Sequence, residues 1–343
     1  MRAAVIDGYG GGDRLEIRDV AQPQAGSGQV LVRVRAAAVN PLDWKIRRGD
    51  YRFIMPKKLP WVPGYDVAGI VEEVGAEVDG FAPGDAVHAL MSDAGACAEF
   101  AVVDAAATAM VPDGLSFEEA AAVPVAGLTA WQALVDRGEL AQGEAVLVNG
   151  GAGGVGHFAV QIGAALGARV TAVASGRNQG FLHELGAERT IDYETDDFTR
   201  DEETYDVVFD AAGTSDFRRC DLILGENGIY VTTNVGPRIF FHSLRTGIAS
   251  LFGPARRARW ITVQPNGAEL AQIDALILRG KVRPHVERVF PLEEIRQAHA
   301  ASEAGGGRGK IVIVPSPPAA PGTRDRRRGG GLRGGRGSWR RRA

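Results

Sequence analysis

Residues 146 to 156 read VLVNGGAGGVG, with five glycines in the seven positions that follow an apolar run. Gly151, Gly153 and Gly156 satisfy G-x-G-x-x-G, and Gly154 and Val155 complete the loop. Between a strand and a helix this pattern cradles a pyrophosphate: Gly151 permits the tight turn, Gly153 lets backbone N–H groups approach, and Gly156 lets the helix pack against the strand. The helix start adds partial positive charge toward the phosphates. No Gly-Lys-Ser/Thr follows, so the loop is not a P-loop. About twenty residues on, an NAD site would present a carboxylate to the ribose. Here RVTAVASGRN places Ser175 and Arg177, and the first acid is Glu184. A hydroxyl and a guanidinium suit a 2′-phosphate, so NADP(H) is the expected cofactor. The plainer reading of Arg177 is a solvated arginine at a helix start.

The flanking sequence supplies the elements this loop needs. From about Ala120, strand-like and helical runs alternate: AVLVN, a helix from Val155 to Leu166 closed by Gly167, RVTAVA, a helix from Gln179 to Leu185 closed by Gly186, RTIDY, DVVFD, a helical stretch to Leu224, then IYVTTN. That alternation predicts an α/β fold with a doubly wound parallel sheet. Before it, MRAAVI, QVLVRVRAAAV, DVAGIVEEVG, DAVHAL and AEFAVV are short runs separated by Gly, Pro and Asp, which predicts a barrel-like or sandwich domain. After it, AELAQIDALILRGKV reads as a helix, followed by a turn, a helix and the final strand KIVIV, pieces free to return to the first domain.

Length and composition bound the answer. The 343 residues are 45% hydrophobic and 24% charged, room for one large or two medium domains. No window reaches the roughly 18 apolar residues of a membrane span, and MRAAVIDGYGGGDR lacks the apolar stretch of a signal peptide, so a cytoplasmic location with no membrane partner is expected. Cys97 and Cys220 are too few for a disulfide framework or a thiolate metal site. Nine arginines and one aspartate in residues 315 to 343 leave residues 1 to 314 with a net charge of −11, against −3 for the whole chain. An acidic body argues against nucleic acid as a partner, except through that tail, whose GGGLRGGRG resembles RGG-type RNA-binding segments. With almost no apolar residues the tail is expected to be disordered.

Taken in order, AAAVNPLDWKIRRG, VPGYDVAGIVEEVG, FAPGDAVHAL, PVAGLTAWQAL, NGGAGGVGHFAVQIGAALGARV, LGAERTIDY and GRGKIVIV resemble the medium-chain dehydrogenase/reductase superfamily, in its zinc-free quinone oxidoreductase branch. The resemblance covers nearly all of residues 1 to 314. It implies a GroES-like β-barrel catalytic domain over 1–123, a Rossmann NADP-binding domain over 124–262, a return to the catalytic domain over 263–314, and a tail over 315–343. Zinc-dependent relatives carry a cysteine near Asn40 and Gly-His-Glu where this chain has Gly64-Tyr65-Asp66, so no metal site is expected. The implied activity is hydride transfer from NADPH to a quinone or an α,β-unsaturated carbonyl, with hydrogen-bond donors at the oxygen where charge develops.

The implied substrate-site donors are Asn40, Lys45, Tyr51 and Tyr65, with Asp43 and Asp66 holding loops in place. Thr129 is implied near the nicotinamide, Tyr193 near the adenosine phosphate, Ala211 to Gly213 along the cofactor groove, and Val235 and Gly236 near the carboxamide. Gly309 and Lys310 match a cofactor-contacting motif, although Lys310 reads equally as a strand-edge lysine. Residues 237–267 lie where relatives line the cleft and form a homodimer; a core helix is the other reading. Two rival functions stand beside this one, a zinc-type alcohol dehydrogenase and a non-catalytic NADP-sensing or RNA-binding protein.

Overall fold

The computed structural model describes residues 1–315, so the expectations for the arginine-rich tail lie outside the described residues. The first region supplies β1 (Arg2–Ile6), β2 (Leu15–Asp19), β3 (Gln29–Val39), helix α1 (Pro41–Arg48), β4 (Asp66–Val74), β5 (Ala86–Leu90), β6 (Phe100–Asp104), β7 (Thr108–Met110) and the short helix α2 (Phe117–Ala121). Strand β3 is the spine: eleven residues long, it pairs antiparallel with β4 and β6, and its far end, Ala37 to Val39, receives the last strand of the chain.

The second region runs α3 (Pro124–Trp131), β8 (Ala145–Asn149), α4 (Gly156–Ala165), β9 (Arg169–Ala174), α5 (Gln179–Glu184), β10 (Arg189–Asp192), β11 (Tyr205–Asp210), α6 (Phe217–Cys220), β12 (Leu224–Thr232), α7 (Pro237–Ala249) and β13 (Arg257–Trp260). Its six strands lie in the order β10-β9-β8-β11-β12-β13, every pair parallel. All five residues of β8 are buried, as a parallel strand covered on both faces requires. The strand order reverses between β8 and β11, and ligands of such sheets bind in the crevice at that point. The helical stretch expected up to Leu224 is shorter than the sequence suggests: α6 is four residues, and β12 already begins at Leu224.

The chain then crosses back through α8 (Gly267–Leu278), β14 (Val286–Pro291), α9 (Ile295–Ala304) and β15 (Lys310–Val314). Strand β15 lies between β14 and β3, so the C-terminal residues complete the first sheet. One apolar cluster, reaching from Ala4 and Leu15 through Val148 and Phe158 to Ile313, joins both regions. Among the described residues no helix is long and apolar enough to cross a membrane.

Candidate active site

The glycine loop leaves β8 at the reversal point, tied to β11 by Asn149 Nδ2 donating to Asp210 Oδ1 at 2.7 Å. The residue in the left-handed region is Gly150, at φ +83°, so the tight turn falls there and not at Gly151. Gly151 is a packing position instead: a Cβ there would stand 3.0 Å from Leu182 Cδ2 and 3.1 Å from Ala172 Cβ. A Cβ on Gly156 would overlap the Gly150 carbonyl, so the close approach of helix and loop depends on it. A Cβ on Gly153 would meet only the Gly150 oxygen, at 3.4 Å, so that side of the loop is clear. This cradle, opening at the start of α4, fits a dinucleotide pyrophosphate.

Beneath the loop, His157 is buried and neutral. Its Nδ1 bonds to the Gly153 carbonyl at 3.0 Å, and its Nε2 accepts from His285 N at 3.3 Å. Burial is the largest cause that lowers its pKa to about 3. The C-terminal return reaches the same loop: Gly309 N donates to the Ala152 carbonyl at 2.9 Å. Gly309 is left-handed, at φ +66°, and a Cβ there would overlap the His285 carbonyl.

Lys310 follows, and its position is the central feature of the site. Its Cδ stands 3.3 Å from where a Cβ on Gly154 would lie, so the aliphatic stem runs along the glycine loop. Its buried ammonium donates to Asn40 Oδ1 at 2.5 Å and to Asp66 Oδ2 at 2.9 Å. Asn40 Nδ2 donates to the same Asp66 oxygen at 2.8 Å, and Asp66 Oδ1 accepts from Val125 N at 2.6 Å. Strand β3 ends one residue before Asn40, β4 begins at Asp66 and β15 begins at Lys310, so three paired strands set the geometry of one cluster. Asp66, expected only to hold a loop, is the counter-ion of this lysine. Asp43 does hold loops: Asn40 N and Gly64 N donate to it at 2.7 and 3.0 Å. Burial raises its pKa to about 7.

The other implied donors sit apart from this cluster. Lys45 projects from α1 with its ammonium 5.6 Å from the ring centre of Trp44, which itself donates to Ser302. The cationic partner of Asn40 is thus Lys310 of β15 and not a residue of α1. Tyr51 is half-buried against the core. Tyr65 is buried; its hydroxyl has no hydrogen-bond partner among the described residues, and Lys57 lies 5.4 Å from its ring centre. Burial pushes the Tyr65 pKa up, against the pull of Lys57.

At the far end of the groove, buried Ser175 accepts from Asn178 Nδ2 at 3.1 Å. The Arg177 guanidinium donates to the Gly306 carbonyl at 2.6 Å. A second guanidinium, Arg308, bonds to Asn178 Oδ1 and to the Arg177 carbonyl, both at 2.7 Å. Sequence reasoning missed Arg308, which lies 131 residues from Arg177 along the chain. It also missed a carboxylate: Asp192 pairs with Ala174 across β9 and β10, and its Oδ2 lies 2.5 Å from where a Cβ on Gly176 would be. The corner therefore holds two cations and one anion. Thr129 is buried, its hydroxyl donating to the Val125 carbonyl at 2.5 Å. Gly213 packs on Asn234 beside Ala211, whereas Tyr193 and Val235 are exposed.

Cys97 is buried against Gly64, and burial, with Asp43 and Asp66 nearby, holds its thiol well above the usual range. Among the described residues no three His, Cys, Asp or Glu side chains converge as a metal site.

Residues 26–133 match the alcohol dehydrogenase GroES-like domain, and residues 185–313 match the zinc-binding dehydrogenase family. The chain is 35% identical over 327 residues to a chloroplast envelope quinone oxidoreductase homolog of Arabidopsis thaliana, covering 92% of this chain and 98% of that protein. It is 34% identical to an NADPH-dependent alkenal/one oxidoreductase of the same plant, covering 92% and 80%. The solved quinone oxidoreductase of Coxiella burnetii superposes with a TM-score of 0.79 at 32% identity, covering 92% and 99%.

Proposed function

The chain belongs to the quinone oxidoreductase branch of the medium-chain dehydrogenase/reductase superfamily, and from that membership we propose an NADPH-dependent reductase of quinones or α,β-unsaturated carbonyls. The observation that carries this reading is the Asn40–Asp66–Lys310 cluster pressed against the dinucleotide loop.

The chemistry that NADPH supplies when bound is a hydride. The cradle from Gly150 to Gly156 would hold the pyrophosphate, and Ser175, Arg177 and Arg308 would hold the 2′-phosphate. Asp192 opposes that preference and limits it. When carbon accepts a hydride conjugate to a carbonyl, negative charge grows on the oxygen, and a preorganised donor in a dry cleft stabilises it far more than water does. Lys310 has three N–H groups, two of them given to Asn40 and Asp66. The third is available to that oxygen, and the two acceptors fix the direction in which it points.

The reading is metal-free. Lys310 puts a positive charge between Asn40 and Asp66, at the positions where zinc-dependent relatives carry ligands, and that charge opposes a dication there. A homodimer is part of the proposal: β13 is an edge strand of the six-stranded sheet, and its outer edge offers backbone groups to a second copy. Turnover of a panel of quinones and enones, each with NADPH and with NADH, tests the function. Oxidation of NADPH in preference to NADH by at least one acceptor is expected. Cofactor binding without turnover across the panel would instead favour the non-catalytic sensor.

A further inference from the structure

Helix α7 inverts the usual arrangement of a surface helix. Its buried side carries Ile239 and Thr246, seven residues apart. On the opposite side, Phe241, Leu244 and Ile248 are spaced i, i+3, i+7 and are 61%, 59% and 52% exposed. Phe240 and Leu251 extend this apolar face, and Phe252, 87% exposed, ends it. Soluble proteins rarely leave a contiguous apolar face of this kind uncovered.

Charge narrows what covers it. Residues 227 to 268 contain five arginines and neither Asp nor Glu, in a body that is otherwise strongly acidic. Arg256 pairs with Asp221, and Arg257 and Arg259 pair with Glu139. Arg238 and Arg245, one on each side of Phe241 at helical spacing, have no ion-pair or hydrogen-bond partner among the described residues. A cavity of about 980 Å³ at the start of α7 is lined by Arg218, Arg238, Phe241 and His242, and Arg218 is likewise unpaired. Asp216 and Asp221, the carboxylates beside α7, are engaged: Asp216 caps α6 through Arg219 N, and Asp221 pairs with Arg256.

An apolar face flanked by cations without counter-ions is the pattern of a helix lying in a membrane interface, its aromatic and aliphatic side chains at the headgroup boundary. We infer that α7 docks this protein on an anionic lipid surface, with Phe241, Leu244 and Ile248 entering the interface and Arg218, Arg238 and Arg245 meeting lipid phosphates. A second copy fits this face less well. A two-fold contact centred on this face would gather the unpaired Arg238 and Arg245 of both chains at one place, whereas anionic lipid supplies the counter-charge they lack. Composition alone predicts no membrane partner, but a helix that lies on a lipid surface needs no spanning segment.

Co-sedimentation of the full chain tests it, with vesicles of phosphatidylcholine alone and of phosphatidylcholine mixed with phosphatidylglycerol. Preferential binding to the mixed vesicles is expected. The triple variant Phe241→Ser/Leu244→Ser/Ile248→Ser should bind them about ten-fold more weakly, and Arg238→Gln/Arg245→Gln should show a smaller preference for phosphatidylglycerol than wild type. The arginines after residue 315 are common to all these proteins, so the differences report α7. Tryptophan fluorescence and thermal unfolding check that each variant is folded, and if the triple variant is not, the arginine pair decides. Equal binding by wild type and folded variants overturns the inference. So does a wild type that ignores vesicles while the triple variant halves its mass by light scattering, since a second copy then covers the face.

Discussion

The inner wall of the cleft and the outer face of α7 break opposite rules of protein composition. In the cleft a lysine, an aspartate and an asparagine are buried, and hydrogen bonds join them in a closed set. On α7, phenylalanine, leucine and isoleucine face outward between arginines that have no acid to meet. A buried charge is tolerable only when paired, and an exposed apolar face is tolerable only when something covers it. The two departures therefore teach different things. The cleft is complete within the chain and prepared for a reaction, whereas α7 is incomplete and prepared for contact.

Breaking the closed set should have the largest effect on stability. Asp66→Asn leaves Lys310 as a buried ammonium without its counter-ion, and a loss of about 3–5 kcal/mol is expected by denaturant unfolding. A loss below about 1 kcal/mol would mean that the pair is solvated and the cleft is not the dry site described.

Acid should act next. His157 and His299 are buried, and burial is the largest cause holding both pKa values near 3, below the ordinary 6.5. The unfolded chain takes up these protons below pH 6.5 while the folded chain refuses them, so the histidines' contribution is full above that value and falls as pH drops toward 3, whereas Asp43, raised to about 7 by burial, takes up its proton in the folded chain and acts in the opposite sense. At pH 5 each histidine costs about 2 kcal/mol. His299 has no hydrogen-bond partner on either ring nitrogen among the described residues, so His299→Leu should remove its share of the acid loss without breaking a bond. Unfolding curves of wild type and variant at pH 7 and pH 5 check the sign and the size.

The smallest effect belongs to α7. Phe241→Ser/Leu244→Ser removes apolar groups that solvent already reaches, so the unfolding free energy should change by no more than about 0.5 kcal/mol. A larger loss would place these side chains in the core and erase the contrast with the cleft.

The sequence revealed most where the physics is local. The strand, glycine loop and helix that cradle the dinucleotide lie within some twenty consecutive residues, and both the alternation and the Gly-x-Gly pattern were legible. Finer choices inside that stretch were not: the left-handed turn lies at Gly150 because the chain must double back directly after β8. Contacts made by strand pairing were hidden. Lys310 meets Asn40 and Asp66 across 270 and 244 residues of chain, and only the insertion of β15 beside β3 creates that meeting. Lys45 is legible as a donor because it shares the stretch NPLDWK with Asn40, whereas Lys310 stands at the other end of the chain. Asp192 reached the 2′-phosphate corner through the parallel register of β9 and β10, which no spacing rule in a single sequence displays. Residues 237–267 gave an apolar signal, but apolarity alone did not separate a core helix from an outward-facing one; β13 at their far end was not anticipated.

The central claim is that charge developing on the acceptor is met by Lys310 and not by Lys45. Steady-state turnover of Lys310→Met and Lys45→Met, with NADPH and one water-soluble quinone, tests it most directly. The account predicts that Lys310→Met, still folded, lowers kcat by about 10²–10³-fold, the scale of removing one preorganised donor, while Lys45→Met stays within about three-fold of wild type. Retention of kcat in Lys310→Met, or a comparable collapse in Lys45→Met, would contradict it.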